Sequence, residues 1–179
     1  DKKIIGTKNN QVAIKTNQAL EDYHRYAENK GTIILSGENT VAMYSEETAS
    51  YNNGTITVGN NSIAQYSAIY DGYKNKTRKG YLSNSGVITL GNSSIGLYKY
   101  SRYYDTFGSI INGTTAYGFE GDGTTPLGGF EGEVTSNEEN AIGILANINN
   151  ARHPKYNKSN EELIRKVVGE VINMQKGKI

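Results

Sequence analysis

A motif that returns in the same internal order constrains this chain more than any other feature. Gly31 to Tyr44 (GTIILSGENTVAMY), Gly54 to Tyr66 (GTITVGNNSIAQY) and Gly86 to Tyr98 (GVITLGNSSIGLY) share one form. Each runs from a glycine through a β-branched stretch and a Gly/Asn/Ser turn into a second short run that holds a small residue. Such a unit reads as two strands joined by a tight polar turn. With Ile33, Ile56 and Ile88 as first-strand anchors, weaker copies fall at Ile4, Ile110, Val134 and Ile172. Second-strand anchors follow at Val12, Val41, Ile63, Ile95, Tyr117, Ile142 and Ile179, so seven copies fit by register.

First-strand anchors are separated by 29, 23, 32, 22, 24 and 38 residues: a short basic unit with longer excursions in three places. A parallel β-helix has this property, because every coil returns to the same register while a loop leaving a corner can have any length. Coils stacked about 4.8 Å apart predict a rod roughly 30 Å long. After each second anchor comes a small residue (Ala13, Ala42, Ala64, Gly96, Gly118, Gly143), then a mostly apolar one (Ile14, Met43, Gln65, Leu97, Phe119, Ile144). Strict alternation predicts that anchor and third residue point inward and the small residue outward. Asn52, Asn53, Asn60, Asn61 and Asn92 are expected at corners, where asparagine bonds nearby backbone and tolerates left-handed dihedrals. The fold class is therefore all-β, a parallel solenoid with short helical and loop insertions.

Insertions are expected near residues 16–30, 67–83, 99–107 and 147–168. Asn17 to Lys30 carries Leu20, Tyr23 and Ala27 at helical spacing, and Ser159 with Glu162 makes a capping-box pattern before Leu163, Ile164, Val167 and Val168. Both predict short helices. The other two insertions are rich in Tyr and Lys and read as protruding loops.

Composition narrows the function. Nineteen Lys and Arg balance eighteen Asp and Glu, which excludes a strongly basic nucleic-acid binder. Without cysteine there is no disulfide, thiolate zinc site or thiol nucleophile. No apolar run approaches the roughly 18 residues of a membrane span, and no leader opens the chain, so any export signal is expected outside it. Residues 1–179 read as one segment cut from a longer rod.

The form Gly-x-Ile-x-Leu-Gly-Asn-x-Ser-Ile-Gly-Leu-Tyr from Gly86 to Tyr98 resembles the passenger repeats of large fusobacterial type V autotransporter adhesins. That resemblance implies a right-handed β-helix on the outer-membrane cell surface, held by a C-terminal β-barrel translocator outside this segment. It also implies a role in adhesion and virulence, with a host-cell receptor, a surface glycan or a component of a partner bacterium as the binding partner. No ligand-binding residues carry over from the family.

Catalysis on such a scaffold needs paired carboxylates gathered on one strand face. Asp22, Asp71, Asp105 and Asp122 all fall in the excursions, and His24 and His153 belong to no spaced motif. The chain reads as non-enzymatic, without cofactor or metal; a β-helical polysaccharide lyase or hydrolase is one alternative and a purely structural stalk another. Gly118 to Glu133 repeats Gly-Phe-Glu-Gly but lacks the Asp spacing of a calcium loop, so it reads as a turn.

Tyrosine is the more promising signal. Tyr44, Tyr66 and Tyr98 share one repeat position and face away from the core by alternation. They either bind a ligand or form a small second core under the excursions. Tyr70, Tyr73, Lys74, Lys76, Arg78, Lys79 and Tyr81 in one loop and Lys99, Tyr100, Arg102, Tyr103 and Tyr104 in the next combine aromatic and cationic groups. Following neighbouring coils, the two loops are expected on one flank of the rod, as a patch for anionic glycans or an acidic receptor or as plain solvated loops.

Overall fold

A computed structural model describes residues 2–17, 26–70, 82–102, 110–113, 132–148, 171–173 and 179. Every element among them is a strand: β1 (Lys3–Gly6), β2 (Val12–Asn17), β3 (Tyr26–Asn29), β4 (Thr32–Leu35), β5 (Val41–Glu46), β6 (Ala49–Asn52), β7 (Thr55–Val58), β8 (Ile63–Ile69), β9 (Leu82–Asn84), β10 (Val87–Leu90), β11 (Ile95–Ser101), β12 (Ile110–Asn112), β13 (Glu133–Ser136), β14 (Ile142–Ile148) and β15 (Val171–Asn173). They form three five-stranded sheets, ordered β1-β4-β7-β10-β13, β14-β11-β8-β5-β2 and β15-β12-β9-β6-β3. All pairings are parallel, as in Ile33↔Ile56 and Ile56↔Ile88 of the first sheet. The chain visits the three sheets in strict rotation, each strand pairing with the one three places on.

Among the described residues five circuits are present where the sequence predicts seven copies, and each circuit has three strands where it predicts two. Ile4, Ile33, Ile56, Ile88 and Val134 are first-sheet anchors as expected. Val12, Val41, Ile63, Ile95 and Ile142 are aligned in the second sheet. Ile110 and Ile172 are different: they lie in the third sheet, where Ile110 pairs with Val171 and Ile111 with Ile172. Tyr117 lies outside the described residues, and Ile179 packs over Gly143, beyond the last second-sheet strand. At about 4.8 Å per circuit the five span about 19 Å.

The insertions are narrower than the sequence suggests. Residues 26–29, 67–69, 82–83, 99–101 and 147–148 are strand. Ala27, read as part of a helical face, is a buried β3 residue. Asn17 ends β2, also strand where the sequence predicts a helix; residues 18–25 of that helix, and the whole of the one at 159–168, lie outside the described residues.

The core runs between the sheets. Ile33, Ile56, Ile88 and Val134 stack from the first, Met43 and Leu97 from the second, and Leu82 and Ile110 from the third, all nearly inaccessible to solvent. Full burial of one such aliphatic side chain contributes about 1.5–3 kcal/mol. Column identity fixes the register, since a slip of one residue would carry a whole strand's apolar set outside.

One column breaks the pattern. Gln65 is fully buried between Met43 and Leu97 of the adjoining strands. Its Nε2 donates to Ser50 Oγ and to the Ser83 carbonyl, both at 3.3 Å, while its Oε1 has no hydrogen-bond partner. Leaving a buried acceptor unsatisfied costs about 1–3 kcal/mol. Gln65→Met, which restores the column, is expected to raise the unfolding free energy by roughly 1–2 kcal/mol. A urea titration showing an unchanged or lower midpoint would contradict this.

Corners explain the polar composition. Asn10, Asn39, Asn61, Ser93 and Asn140 each stand two residues before a second-sheet anchor, and all have positive φ between 52° and 60°. Beside them, Ser62 Oγ accepts from the Thr40 N–H and Ser94 Oγ from the Ser62 N–H, both at 3.0 Å. A second ladder closes the third sheet. Asn29 Nδ2 donates to Asn52 Oδ1, Asn52 Nδ2 to Asn84 Oδ1, and Asn84 Nδ2 to Asn112 Oδ1, each at 2.8 Å. The glycines that follow are required because stacked turns touch: a Cβ on Gly86 would press on the Gly54 carbonyl.

Candidate interaction surface

Second-sheet strands depart from strict alternation. The ladder pairs Val41 with Ile63 and Met43 with Gln65 but skips the small residues between them, and the other pairs of this sheet show the same skip. Ala42 and Ala64 are buried together with their successors Met43 and Gln65. The anchors face outward, from half-buried Val41, Ile63 and Ile95 to exposed Val12 and Ile142. The expected inward anchor and outward small residue are therefore reversed. Two consecutive inward residues need a local bend, as at a bulge, and only a small first residue fits it. A Cβ on Gly96 would lie 2.6 Å from both the Gly143 carbonyl oxygen and Val134 Cγ1.

Tyr44, Tyr66 and Tyr98 do face outward, in register and half-buried. Their rings stack on one another: centroids lie 5.4 Å apart for Tyr44–Tyr66 and 4.9 Å for Tyr66–Tyr98, the latter pair only 28° from parallel. Lys15 Nζ covers the N-terminal end of the column, 5.3 Å from the Tyr44 centroid. The column thus presents ring edges and hydroxyls. Tyr44 Oη donates to Glu46 Oε2 at 2.9 Å, and Asn147 Nδ2 donates to Tyr98 Oη at 3.4 Å. Burial first, then the Glu46 carboxylate, holds the Tyr44 phenol well above its ordinary pKa. Burial and then Tyr70 do the same for Tyr66. Both hydroxyls stay protonated at physiological pH.

Tyr70 and Tyr100 extend this aromatic surface, with centroids 5.6 Å apart. Tyr70 is fixed through its backbone, whose N–H donates to Glu47 Oε1 at 2.6 Å. Arg102 is exposed beside it, its N–H bonded to the Ile69 carbonyl at 2.8 Å. Tyr73, Lys74, Lys76, Arg78, Lys79, Tyr81, Tyr103 and Tyr104 lie outside the described residues.

Lys99 is a correction. Read as part of a cationic loop, it is a fully buried β11 residue whose Nζ donates to Ser67 Oγ at 3.5 Å. Burial pushes its ammonium down to about 7, with Glu47 drawing it partly back. The register places it in line with Ser45 and Ser67, where inward positions carry small residues.

Topology locates the insertions. Connections from the first sheet to the second, such as residues 36–40 and 59–62, are short, as are 30–31, 53–54 and 85–86 from the third to the first. From the second to the third, only Glu47 and Thr48 make a short link; residues 18–25, 70–81, 102–109 and 149–170 are all longer. Those around 70–81 and 102–109 leave from paired Ile69 and Ser101 and return at paired Leu82 and Ile110. The strand ends that bound them share one corner on successive circuits, beside the tyrosine face. Between the described strands, the one long interval outside this corner is residues 113–132.

Tyr100, expected in the second loop, is instead a β11 strand residue, and sequence reasoning missed Glu47 and the Asn29, Asn84 and Asn112 rungs of the asparagine ladder. Asn29-Lys-Gly31, Asn52-Asn-Gly54 and Asn84-Ser-Gly86 show that an Asn-x-Gly spacing was available to find the ladder. Among the described residues no group of three or more His, Cys, Asp or Glu could hold a metal ion. His24, His153, Asp22, Asp71, Asp105 and Asp122 lie outside them, as does 118–133 apart from Gly132 and Glu133. No protein-family model, curated protein or solved structure matches the chain.

Proposed function

We propose that this chain is a segment of a right-handed parallel β-helix from the passenger of a surface-exposed type V autotransporter, and that it mediates adhesion. Three parallel sheets visited in rotation support the solenoid reading. Parallel crossovers are right-handed in about 98% of cases, which supports the hand. The observation that carries the adhesive role is that the strand ends flanking four long connections fall at one corner, next to the outward tyrosines. A scaffold that only spans distance has no need to keep its variable segments on one side; loops on a rigid support are the usual carriers of binding.

The partner is a component of a host-cell or partner-bacterium surface, bound by contact without a reaction, and the membrane anchor is a β-barrel beyond this segment. Residues 1–179, purified and labelled, are expected to bind host cells or partner bacteria saturably in flow cytometry. Replacing Tyr70, Tyr73, Tyr103 and Tyr104 together by serine should weaken binding by about tenfold or more, the loss of at least 1.4 kcal/mol. If the whole protein adheres and this segment does not, the segment is a spacer and the adhesive reading of it is wrong.

A further inference from the structure

We infer that the first and fifth circuits are complementary surfaces, so that a second copy of this chain docks end to end, laying its fifth circuit on the first. This goes beyond the adhesive reading and does not depend on it.

The first circuit keeps one half of the bonds that join the others. Thr32, Thr55, Val87 and Glu133 each donate a backbone N–H to a carbonyl of the preceding circuit, and so do Val41, Ile63, Ile95 and Ile142. Lys3 and Val12 hold those positions in the first circuit, which has none before it among the described residues. The asparagine ladder ends the same way. Asn52 Oδ1 and Asn84 Oδ1 each accept from the preceding asparagine and from a glycine N–H, whereas Asn29 Oδ1 accepts from the Gly31 N–H alone, at 3.1 Å. Apolar surface is open there too: Ile4 is 40% exposed while Ile33, Ile56 and Ile88 of its column are fully buried, and Val12 and Tyr26 are exposed as well.

Register supplies the occupant. Extending the alignment of the first two sheets by one circuit sets Glu133 of the incoming copy beside Lys3, Val134 beside Ile4 and Ile142 beside Val12. In the third sheet Asn173 aligns with Asn29 through Asn112, Asn84 and Asn52, which continues the ladder. The carbonyls of Gly132 and Ala141 then meet the N–H groups of Lys3 and Val12, as those of Gly86 and Ser94 meet Glu133 and Ile142 within one chain.

Charge favours this partner over an arbitrary strand. Residues 2–17 carry Lys2, Lys3, Lys8 and Lys15 and no acidic group, while residues 132–148 carry Glu133, Glu138 and Glu139 and no basic one. Lys8 and Glu138 each stand four residues before a second-sheet anchor, so they meet at the same corner. Glu28, the acid of β3, is already paired with Lys30 at 3.2 Å. Like ends therefore repel and unlike ends attract. Ile179 lies over Gly143 and is 64% exposed, a light cover that docking displaces. The contact joins different surfaces of the two copies, so a third adds as the second did and growth does not close at a dimer.

The test is analytical ultracentrifugation of the whole 179-residue chain over a concentration series at low and high salt. The weight-average mass should climb past that of a dimer and fall as salt is raised. Lys3→Glu with Lys8→Glu, and separately Glu133→Lys with Glu138→Lys, should each weaken self-association by at least about tenfold, and an equimolar mixture of the two variants should recover it. Val12→Pro, at the first residue of its strand, removes an N–H aimed at the open end. It should weaken association by about tenfold with an unchanged circular dichroism spectrum. Ile179→Ala, which thins the cover over Gly143, should associate more tightly than wild type. A monomer at every concentration, a mass that levels off at a dimer, charge variants that stay apart when mixed, or looser association of Ile179→Ala would overturn the inference. Cell binding by a chain that stays monomeric refutes the docking and leaves adhesion standing; assembly by a chain that attaches to no cell does the reverse.

Discussion

Asn52→Ala should lower the unfolding free energy by about 3–4 kcal/mol, because Asn52 is an interior rung whose removal strands groups on both sides. In the native chain it is fully buried. Its Oδ1 accepts from Asn29 Nδ2 at 2.8 Å and from the Gly54 N–H at 3.3 Å. Its Nδ2 donates to Asn84 Oδ1 at 2.8 Å and to the Gly54 carbonyl at 3.3 Å. Alanine removes four bonds, and each buried partner left unmet costs about 1–3 kcal/mol, offset where Asn29 and Asn84 keep their contacts to the Thr55 carbonyl and the Gly86 N–H. Asn52→Asp is the sharper form of the test. An ionised carboxylate cannot donate to Asn84 Oδ1, so two acceptors would face each other in the interior; a protonated one can donate. The folded-state pKa of this introduced acid is therefore raised, and the variant should lose stability as pH climbs from about 4 to 7 relative to wild type. Urea midpoints at several pH values measure both variants. An alanine variant within about 0.5 kcal/mol of wild type, the range of ordinary surface substitutions, would mean that the ladder does not hold the circuits together.

That ladder also marks how far the sequence could be read. Strands of the first two sheets are legible because they are β-branched and stand in repeated order: Ile33, Ile56 and Ile88, then Val41, Ile63 and Ile95. Third-sheet strands are short and chemically mixed, as in YAEN, ASYN and LSN, so neither β-propensity nor alternation reveals them. The two that look like strands, IIN at Ile110–Asn112 and VIN at Val171–Asn173, resemble first strands and count falsely as new copies. What aligns these segments is asparagine at their ends, through contacts between residues 23, 32 and 28 apart in sequence. The local Asn-x-Gly spacing marks three of these rungs without showing that they bond one another.

The candidate surface was legible to a similar depth. Shared position of Tyr44, Tyr66 and Tyr98 was enough to place them outside. It could not show that the rings would stack, which turns a row of flat faces into a row of edges and hydroxyls. Nor did position reveal the reversed anchors: alternation assumes one residue per pleat, and the skipped small residue violates that in every second-sheet pair. Because this bend recurs, its consequence is cumulative, converting a local bulge into a continuous external feature. The corner where the insertions gather follows from the third sheet, so its position depends on strands the sequence hides.

Lys99 should make stability rise with pH across a range where most globular proteins change little. Burial holds its folded-state pKa at about 7, against an ordinary value of 10.5 in the unfolded chain. Between those values the unfolded state binds more protons than the native one, so the unfolding free energy increases with pH, by up to about 1.4 kcal/mol per unit. Below pH 7 the penalty for charging a buried ammonium is fully expressed; the benefit of neutrality arrives as pH passes 7 and saturates near 10.5. Tyr44 and Tyr66 set the upper limit with the opposite sign. Their phenols are raised in the folded state, so above about pH 10 the unfolded chain loses those protons first and stability falls. Stability is therefore expected to peak just below pH 10. Lys99→Met keeps the length of the side chain without the charge, in a core that already holds Met43. It should be more stable than wild type at pH 7 by about 2–4 kcal/mol, a buried charge being removed together with its desolvation, and the difference should shrink toward pH 10. Guanidinium titrations from pH 6 to 10 on both proteins give the comparison, since every other titrating group is common to the two. Parallel curves would show that Lys99 does not change its proton occupancy on unfolding in this range, and the buried ammonium would then have to be charged and compensated in the native state.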